Sequence, residues 1–201
     1  VSPLDPARIG SSPADGAARL VAALADVEHP KVIEVGTLRS EAANPTHHTE
    51  WAPHGTWLKV DAYEGTDVDL VADAHQLPAD LGRLLPHEPP AAGFDAYVAC
   101  SLFEHLERPW LAMQAAADVV RPGGLVYVQT HQSFPIHGYP SDYFRFSDKA
   151  LVVLMEDAGL EVVSAGYTYP CRIIPPPEVT RWNPAAEAYL NVEALARKPE
   201  E

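Results

Sequence analysis

The chain is short of positive charge. Lys and Arg total 14 against 28 Asp and Glu, a formal net charge of −14 at pH 7. A surface this acidic repels phosphate backbones and anionic lipid, so neither nucleic acid nor a membrane surface is expected as a partner. Cysteine is scarce too. Cys100 and Cys171 lie far apart and form no C-x-x-C pair. That argues against a structural zinc site and against a disulfide-framed secreted domain. No apolar run approaches the ~18 residues that span a bilayer. Residues 1–5 lack the charged and apolar regions of a signal peptide. A reduced cytoplasm is therefore the expected location. Neither an internal repeat nor a long linker is present, so the 201 residues read as one domain, 1–201.

What is there is an alternation of helical and strand patterns. Ser12 to Asp15 reads as a helix start. Ala17, Leu20, Val21 and Leu24 follow at helical spacing, and Pro30 ends this N-terminal segment, 1–30. Short apolar runs at 31–36, 56–61, 68–73, 94–100 and 125–130 read as strands. A helix is expected at 110–120, stopped by Arg121-Pro122-Gly123-Gly124. Another runs from the Ser147 cap to Gly159. Runs at 160–163 and 190–196 complete the strands. The 20 prolines are about twice the usual ~5% and gather in expected loops, among them 170–187 before the last strand. Strands that are continuously apolar and alternate with helices predict an α/β fold, doubly wound, with a mostly parallel seven-stranded sheet covered on both faces.

Ligands of such sheets bind beyond the carboxyl ends of the strands. Here those ends carry Glu34-Val35-Gly36, Asp61, Asp73 and Cys100-Ser101. A nucleoside cofactor needs a glycine where backbone comes close, and carboxylates to accept from ribose hydroxyls and an adenine amine. Asp61 follows Gly36 by 25 residues, close to the roughly 20 between a glycine turn and its ribose acid. Each residue also has a plainer reading, since Asp is common as a helix cap or turn residue.

From these residues the chain resembles the class I S-adenosylmethionine-dependent methyltransferases. The resemblance runs from about Lys31 to Lys198. Val32-Ile33-Glu34-Val35-Gly36 is similar to the first motif of the family, and Leu58-Lys59-Val60-Asp61 to its second-strand acid. Val71 to Pro78 is similar to the adenine-contacting segment. Phe94 to Leu106, ending Glu104-His105-Leu106, is similar to the fourth strand and its turn, and Val120 to Gly124 to the turn before strand five. One departure stands out. Gly36-Thr37-Leu38-Arg39-Ser40 replaces the usual alternating glycines, so a side chain stands where backbone would approach the methionine part. A branch of the family shares this degenerate motif and a YPxDxxRF-like segment, similar to Tyr139 through Phe146. The resemblance implies S-adenosylmethionine as cofactor. Glu34 and Gly36 would border its methionine and ribose, and Asp61 would take the ribose hydroxyls. Asp73 and the Ala74 amide would meet the adenine, and Cys100 and Ser101 would line the methionine end.

Methyl transfer from a sulfonium is an in-line displacement, so the protein mainly aligns two reactants. A hydroxyl acceptor gains from a base, and His suits that near neutral pH. His131, just after strand five, and His105, after strand four, stand level as catalytic candidates. The stretch 131–147 is a candidate substrate loop, with His137, Tyr139, Asp142, Tyr143 and Arg145 as candidate substrate contacts. Its aromatics also fit a core role, and Arg145 also fits a salt bridge with Asp142. A set of His131, His137 and Asp142 is a lesser, metal-binding alternative. No resident metal is expected. The expected function is methylation of a small-molecule acceptor, at oxygen, and a second copy of the chain, in a homo-oligomer, is a candidate partner. The alternatives are a lyase, cyclase or metal-assisted hydrolase on the same scaffold, or a non-catalytic cofactor-binding subunit.

Overall fold

A computed structural model describes residues 14–38, 48–84, 93–138, 140–181, 183 and 187–200. The strands are β1 (Lys31–Val35), β2 (Thr56–Asp61), β3 (Leu70–Val71), β4 (Phe94–Cys100), β5 (Val120–His131), β6 (Glu161–Cys171) and β7 (Ala188–Arg197). They form one sheet in the order β3-β2-β1-β4-β5-β7-β6. β1 pairs in parallel with both β2 and β4, and β2–β3 and β4–β5 are parallel too. β7 runs antiparallel between β5 and β6. The order reverses between β1 and β4, which opens a crevice at their carboxyl ends.

Alternation along the central strands divides the core in two. Val32, Ala96, Val98, Leu125 and Tyr127 point to one face, against Leu20 and Leu24 of helix α1 (Gly16–Ala25). Ile33, Val35, Tyr97, Ala99, Val126 and Val128 point to the other. There they meet helices α2 (Leu77–Leu84), α3 (Pro109–Val119) and α4 (Asp148–Asp157). The start of α1 is held by a buried carboxylate. Glu193 on β7 accepts from the Gly16 amide at 2.8 Å and from the Tyr127 hydroxyl at 2.7 Å. A carboxylate there satisfies a helix-end donor that has no partner within the helix.

The predicted strands all exist, but several bounds differ. The third shrinks from 68–73 to Leu70–Val71, because the Asp69 carboxylate takes the Lys59 amide at 2.9 Å in place of a backbone partner. The first helix spans only Gly16–Ala25, and the Ser12 and Pro13 of its expected start lie outside the described residues. Arg121 to Gly124 does end α3, but as a bulge inside β5. Phe94 pairs with Val120 while Ala96 pairs with Leu125, so the residues between them loop out of register. The sixth strand extends from the expected 160–163 to Glu161–Cys171. It lies at the sheet edge, where Pro170 removes no needed ladder donor. α2 was not anticipated; its Leu77 and Leu81 are buried at i, i+4. α4 begins as expected, with the Ser147 hydroxyl accepting from the Ala150 amide. Among the described residues no helix is long and apolar enough to cross a membrane.

Candidate functional site

The crevice is a cleft of about 710 Å³, within the range of small-molecule sites. It is lined in sequence order by the ends of the parallel strands: Gly36 and Leu38 after β1, Asp61 and Tyr63 after β2, Asp73 to His75 after β3, Cys100 to Leu102 after β4, and His131 at the end of β5. His105, Phe134 and His137 close its far end. Of the expected cofactor residues, Gly36, Asp61, Asp73, Ala74, Cys100 and Ser101 are brought together here.

Two backbone conformations shape the near wall. Gly36 has φ +85°, and a Cβ there would come 3.0 Å from the Leu102 Cβ, so only glycine fits without strain. Ser101 holds φ +54° without being glycine. Its amide is tied to the Gln129 carbonyl at 2.9 Å. Strain of this kind persists where surrounding structure fixes it, and it clusters at ligand sites.

The acids differ in how much of their hydrogen-bonding capacity is taken. Asp61 accepts from the Leu38 amide at 2.9 Å and from the Tyr63 amide at 3.2 Å. Each oxygen keeps a further lone pair, since a carboxylate offers about four acceptor sites. Asp73 instead closes a local turn. Its Oδ1 accepts from the His75 amide at 2.9 Å and faces His75 Nδ1 at 2.7 Å. Its partial burial works against its charge, but these hydrogen bonds outweigh that and lower its carboxyl below the usual range. Glu34 departs from the expectation. It is 2% exposed, does not line the cleft, and pairs with His48 at 2.7 Å on the α1 face. Alternation along β1 sends Glu34 to the side opposite Ile33 and Val35.

The far end of the cleft is built around Glu104, an acid that sequence reasoning passed over. It is fully buried in a short 3₁₀ turn, Phe103–His105. Its Oε2 accepts from Thr130 at 2.6 Å. Its Oε1 lies 3.0 Å from His131 Nε2 and 3.8 Å from His105 Nε2. Burial disfavours charge on both Glu104 and His131, yet each is outweighed by the other's proximity. The acid is held below its usual range and the imidazole above. The signal for Glu104 in the sequence is the Glu-His-Leu turn, 104–106.

The histidine candidates separate by their hydrogen bonds. His131 has Nδ1 on Asn191 Oδ1 at 3.0 Å and Nε2 beside Glu104. Its Nε2 thus faces a buried carboxylate. His105 donates from Nδ1 to the Ser141 carbonyl at 2.7 Å. A carbonyl only accepts, so the lone pair of His105 sits on Nε2.

The loop expected at 131–147 is irregular over 132–138 and 140–147 but closely knit. Glu104 O accepts from the Tyr143 and Phe144 amides, and His131 O from the Phe146 amide. Arg145 grips Asp142 with two nitrogens, one at 2.6 Å, and also donates to the Phe134 and Pro135 carbonyls. Asp142 and Arg145 therefore hold each other and neither lines the cleft. Tyr143 is half exposed and outside the lining as well. The aromatics divide between the two expected roles. Phe146 joins the core, while Phe134 stacks on His131 with ring centres 4.1 Å apart. Tyr139 lies outside the described residues.

Residues 57–128 match the family model described as methyltransferase domain. A search of the curated proteins finds no match. Among solved structures, a SAM-dependent methyltransferase from Archaeoglobus fulgidus superposes with TM-score 0.60 at 15% identity, covering 90% of this chain and 92% of that one. A Burkholderia thailandensis 1,6-didemethyltoxoflavin-N1-methyltransferase gives 0.56 at 16%, over 92% and 77%. The cyclase SpnF gives 0.58 at 16%, over 91% and 81%. At such identities the likeness is one of fold. Residues 57–128 thus carry a methyltransferase-domain match, and about nine-tenths of the chain shares its fold with solved methyltransferase structures.

Proposed function

We propose that the protein is an S-adenosylmethionine-dependent methyltransferase that methylates a small-molecule acceptor at oxygen. The observation that carries this is the gathering of Gly36, Asp61, Ala74 and Ser101 around one cleft at the reversal of strand order. The fit to the cofactor rests on that cleft's own features. Backbone reaches the floor at Gly36, where a Cβ would strike Leu102. Asp61 keeps acceptor capacity for two hydroxyls. The Asp73 carboxylate, already engaged with His75, supports the adenine end through the turn that presents the Ala74 amide.

When bound, the cofactor supplies a methyl group on a sulfonium sulfur; the C–S bond breaks as an acceptor oxygen forms the new C–O bond, and sulfur keeps the electron pair. The chain's part is placement and one proton. Leu102, Cys100 and Ser101 form the wall between the cofactor end and the histidine end. Phe134 and His137 line the acceptor end. His105 Nε2 receives the hydroxyl proton, its ring held in the right tautomer by Ser141. A formal charge of −14 and a cleft of small-molecule size support a small acceptor over a nucleic acid. The knit loop walls the acceptor side of the cleft, and a second copy of the chain is the candidate partner there.

Calorimetric titration with S-adenosylmethionine and S-adenosylhomocysteine tests this reading. Binding of both, lost in Asp61→Ala, supports it. No binding of either at millimolar concentration overturns it in favour of a cyclase, lyase or hydrolase on this scaffold.

A further inference from the structure

Three histidines at the acceptor end share one arrangement. Each has its Nδ1 against a protein oxygen: His105 on Ser141 O at 2.7 Å, His131 on Asn191 Oδ1 at 3.0 Å, and His137 on Pro135 O at 3.1 Å. His137 Nδ1 also lies 3.3 Å from the Asp142 carboxylate. Such acceptors place the proton on Nδ1 and leave the lone pair on Nε2. In the middle stands Glu104, fully buried, whose Oε1 has no hydrogen-bond partner although His131 Nε2 is 3.0 Å away. The line between them is off the direction a hydrogen bond needs. One ligand atom each from Glu104, His131 and His137 lies within 4.8 Å of the others.

Two lone-pair atoms 3.0 Å apart in a buried place need a cation between or beside them. A proton can satisfy the pair Glu104–His131, but it gives no role to the third atom, on His137. We propose that the acceptor end of the cleft binds a divalent transition-metal ion, with Glu104, His131 and His137 as its protein ligands. Two imidazole nitrogens and one carboxylate suit zinc, iron(II), cobalt or nickel better than magnesium or calcium, which prefer all-oxygen sets. The outer partners are those a metal site requires. Asn191, Pro135 and Asp142 orient the rings, and Thr130 orients the carboxylate. Around a metal at about 2.0–2.1 Å from each ligand, the donor atoms stand ~3–3.5 Å apart. Glu104 and His131 already meet that spacing. The His137 ligand atom, within 4.8 Å of the other two, would have to draw closer by about 1–2 Å. The carboxylate is not Asp142, the one expected from sequence, because Arg145 holds both of its oxygens. His105 stays outside the set.

Three protein ligands leave positions open toward the cleft. This deepens the methyltransferase reading and rests on it for one consequence: the acceptor would carry an oxygen able to join the metal, as a catechol, a vicinal diol or a hydroxy acid does.

The test uses the full, untagged chain, stripped with a chelator and titrated with cobalt(II) by calorimetry and visible absorption. The expected result is one ion per chain with d–d bands of a nitrogen-ligated site. His137→Gln, on a half-exposed residue that the core does not need, should weaken binding by at least about tenfold. His54→Ala, outside the cleft, should leave it unchanged. Absence of cobalt binding, or equal binding by wild type and His137→Gln, overturns the proposal, as does equal weakening by His54→Ala. S-adenosylhomocysteine is titrated into the same samples. Nucleoside binding without cobalt binding removes the metal site alone. Cobalt binding without nucleoside binding removes the methyltransferase reading and leaves the site.

Discussion

Leu38 occupies space that Gly65 leaves empty: a Cβ on Gly65 would come 2.2 Å from Leu38 Cδ1. Leu38 stands where the family resemblance expects a second glycine, and its side chain lies against Gly65 of the β2–β3 connection. Gly65→Ala should therefore push the Leu38 side chain toward the cleft. The far end of a leucine yields easily, so the fold should survive, with the cost falling on the ligand. We expect S-adenosylhomocysteine affinity to fall about fivefold, near 1 kcal/mol. In the double variant with Leu38→Ala the affinity should return. Calorimetry of the single and double variants checks both, and an unchanged affinity for Gly65→Ala would mean that Leu38 has another way out.

Asp61 joins the β1 and β2 ends, because Oδ2 holds the Leu38 amide while Oδ1 holds that of Tyr63. On the proposed function, removing its side chain takes a charged acceptor from the nucleoside; it also frees the Leu38 turn. Hydrogen bonds to charged groups contribute roughly 1.5–3 kcal/mol, so Asp61→Ala should weaken the nucleoside by about ten- to a hundredfold. Asp73→Ala should act differently. Its carboxylate is engaged with His75, so the loss should appear as a lowered melting temperature together with weakened binding. Parallel melting curves and titrations separate the two.

The strand alternation was legible because buried parallel strands are written as unbroken apolar runs, as in Val32-Ile33 and Val98-Ala99. The rim acids followed from position alone, since Asp61 and Asp73 stand where those runs end. What was not legible depends on distance in sequence. Glu104 meets His131 and Thr130 only through the pairing of β4 with β5, and nothing local marks it as the centre of a cluster. Glu34 reads as a rim residue, but period-two alternation turns it to the α1 face, onto His48. Asp142 and Arg145 allowed either a substrate contact or a salt bridge, and only the packed loop decides for the bridge. Gly65 carries no motif. Its meaning exists only with Leu38 beside it.

In the sequence His105 and His131 are level as bases; their hydrogen bonds separate them. With Nε2 holding its lone pair, His105 should act on the proton and not on the cofactor. His105→Gln should lower kcat with an oxygen acceptor by roughly a hundredfold, in the range of general-base contributions, and leave S-adenosylhomocysteine affinity unchanged. His131→Gln should instead disturb the buried Glu104 and lower the melting temperature, since it leaves a carboxylate without its cation. A His105→Gln enzyme with full kcat would assign the proton to solvent or to the acceptor itself.

Asp142 ties the loop to itself through Arg145. The guanidinium's hydrogen bonds, helped by the His137 amide, hold its carboxyl far below the usual carboxylate range. A pKa lowered in the folded state stabilises that state once pH exceeds the unfolded value of about 3.9. The stabilisation is lost as pH falls from there through the lower folded value. Asp142→Asn removes the charge at every pH. The variant should therefore melt below the wild type by a constant margin at pH 5 and above. Below about pH 4 the gap should narrow, because the wild type is losing the same charge. Melting temperatures of both proteins, taken from neutral pH down to the limit of solubility, give the comparison. A gap that stays equal down to pH 3 would show that Asp142 acts through shape and neutral hydrogen bonds, with no share for its charge.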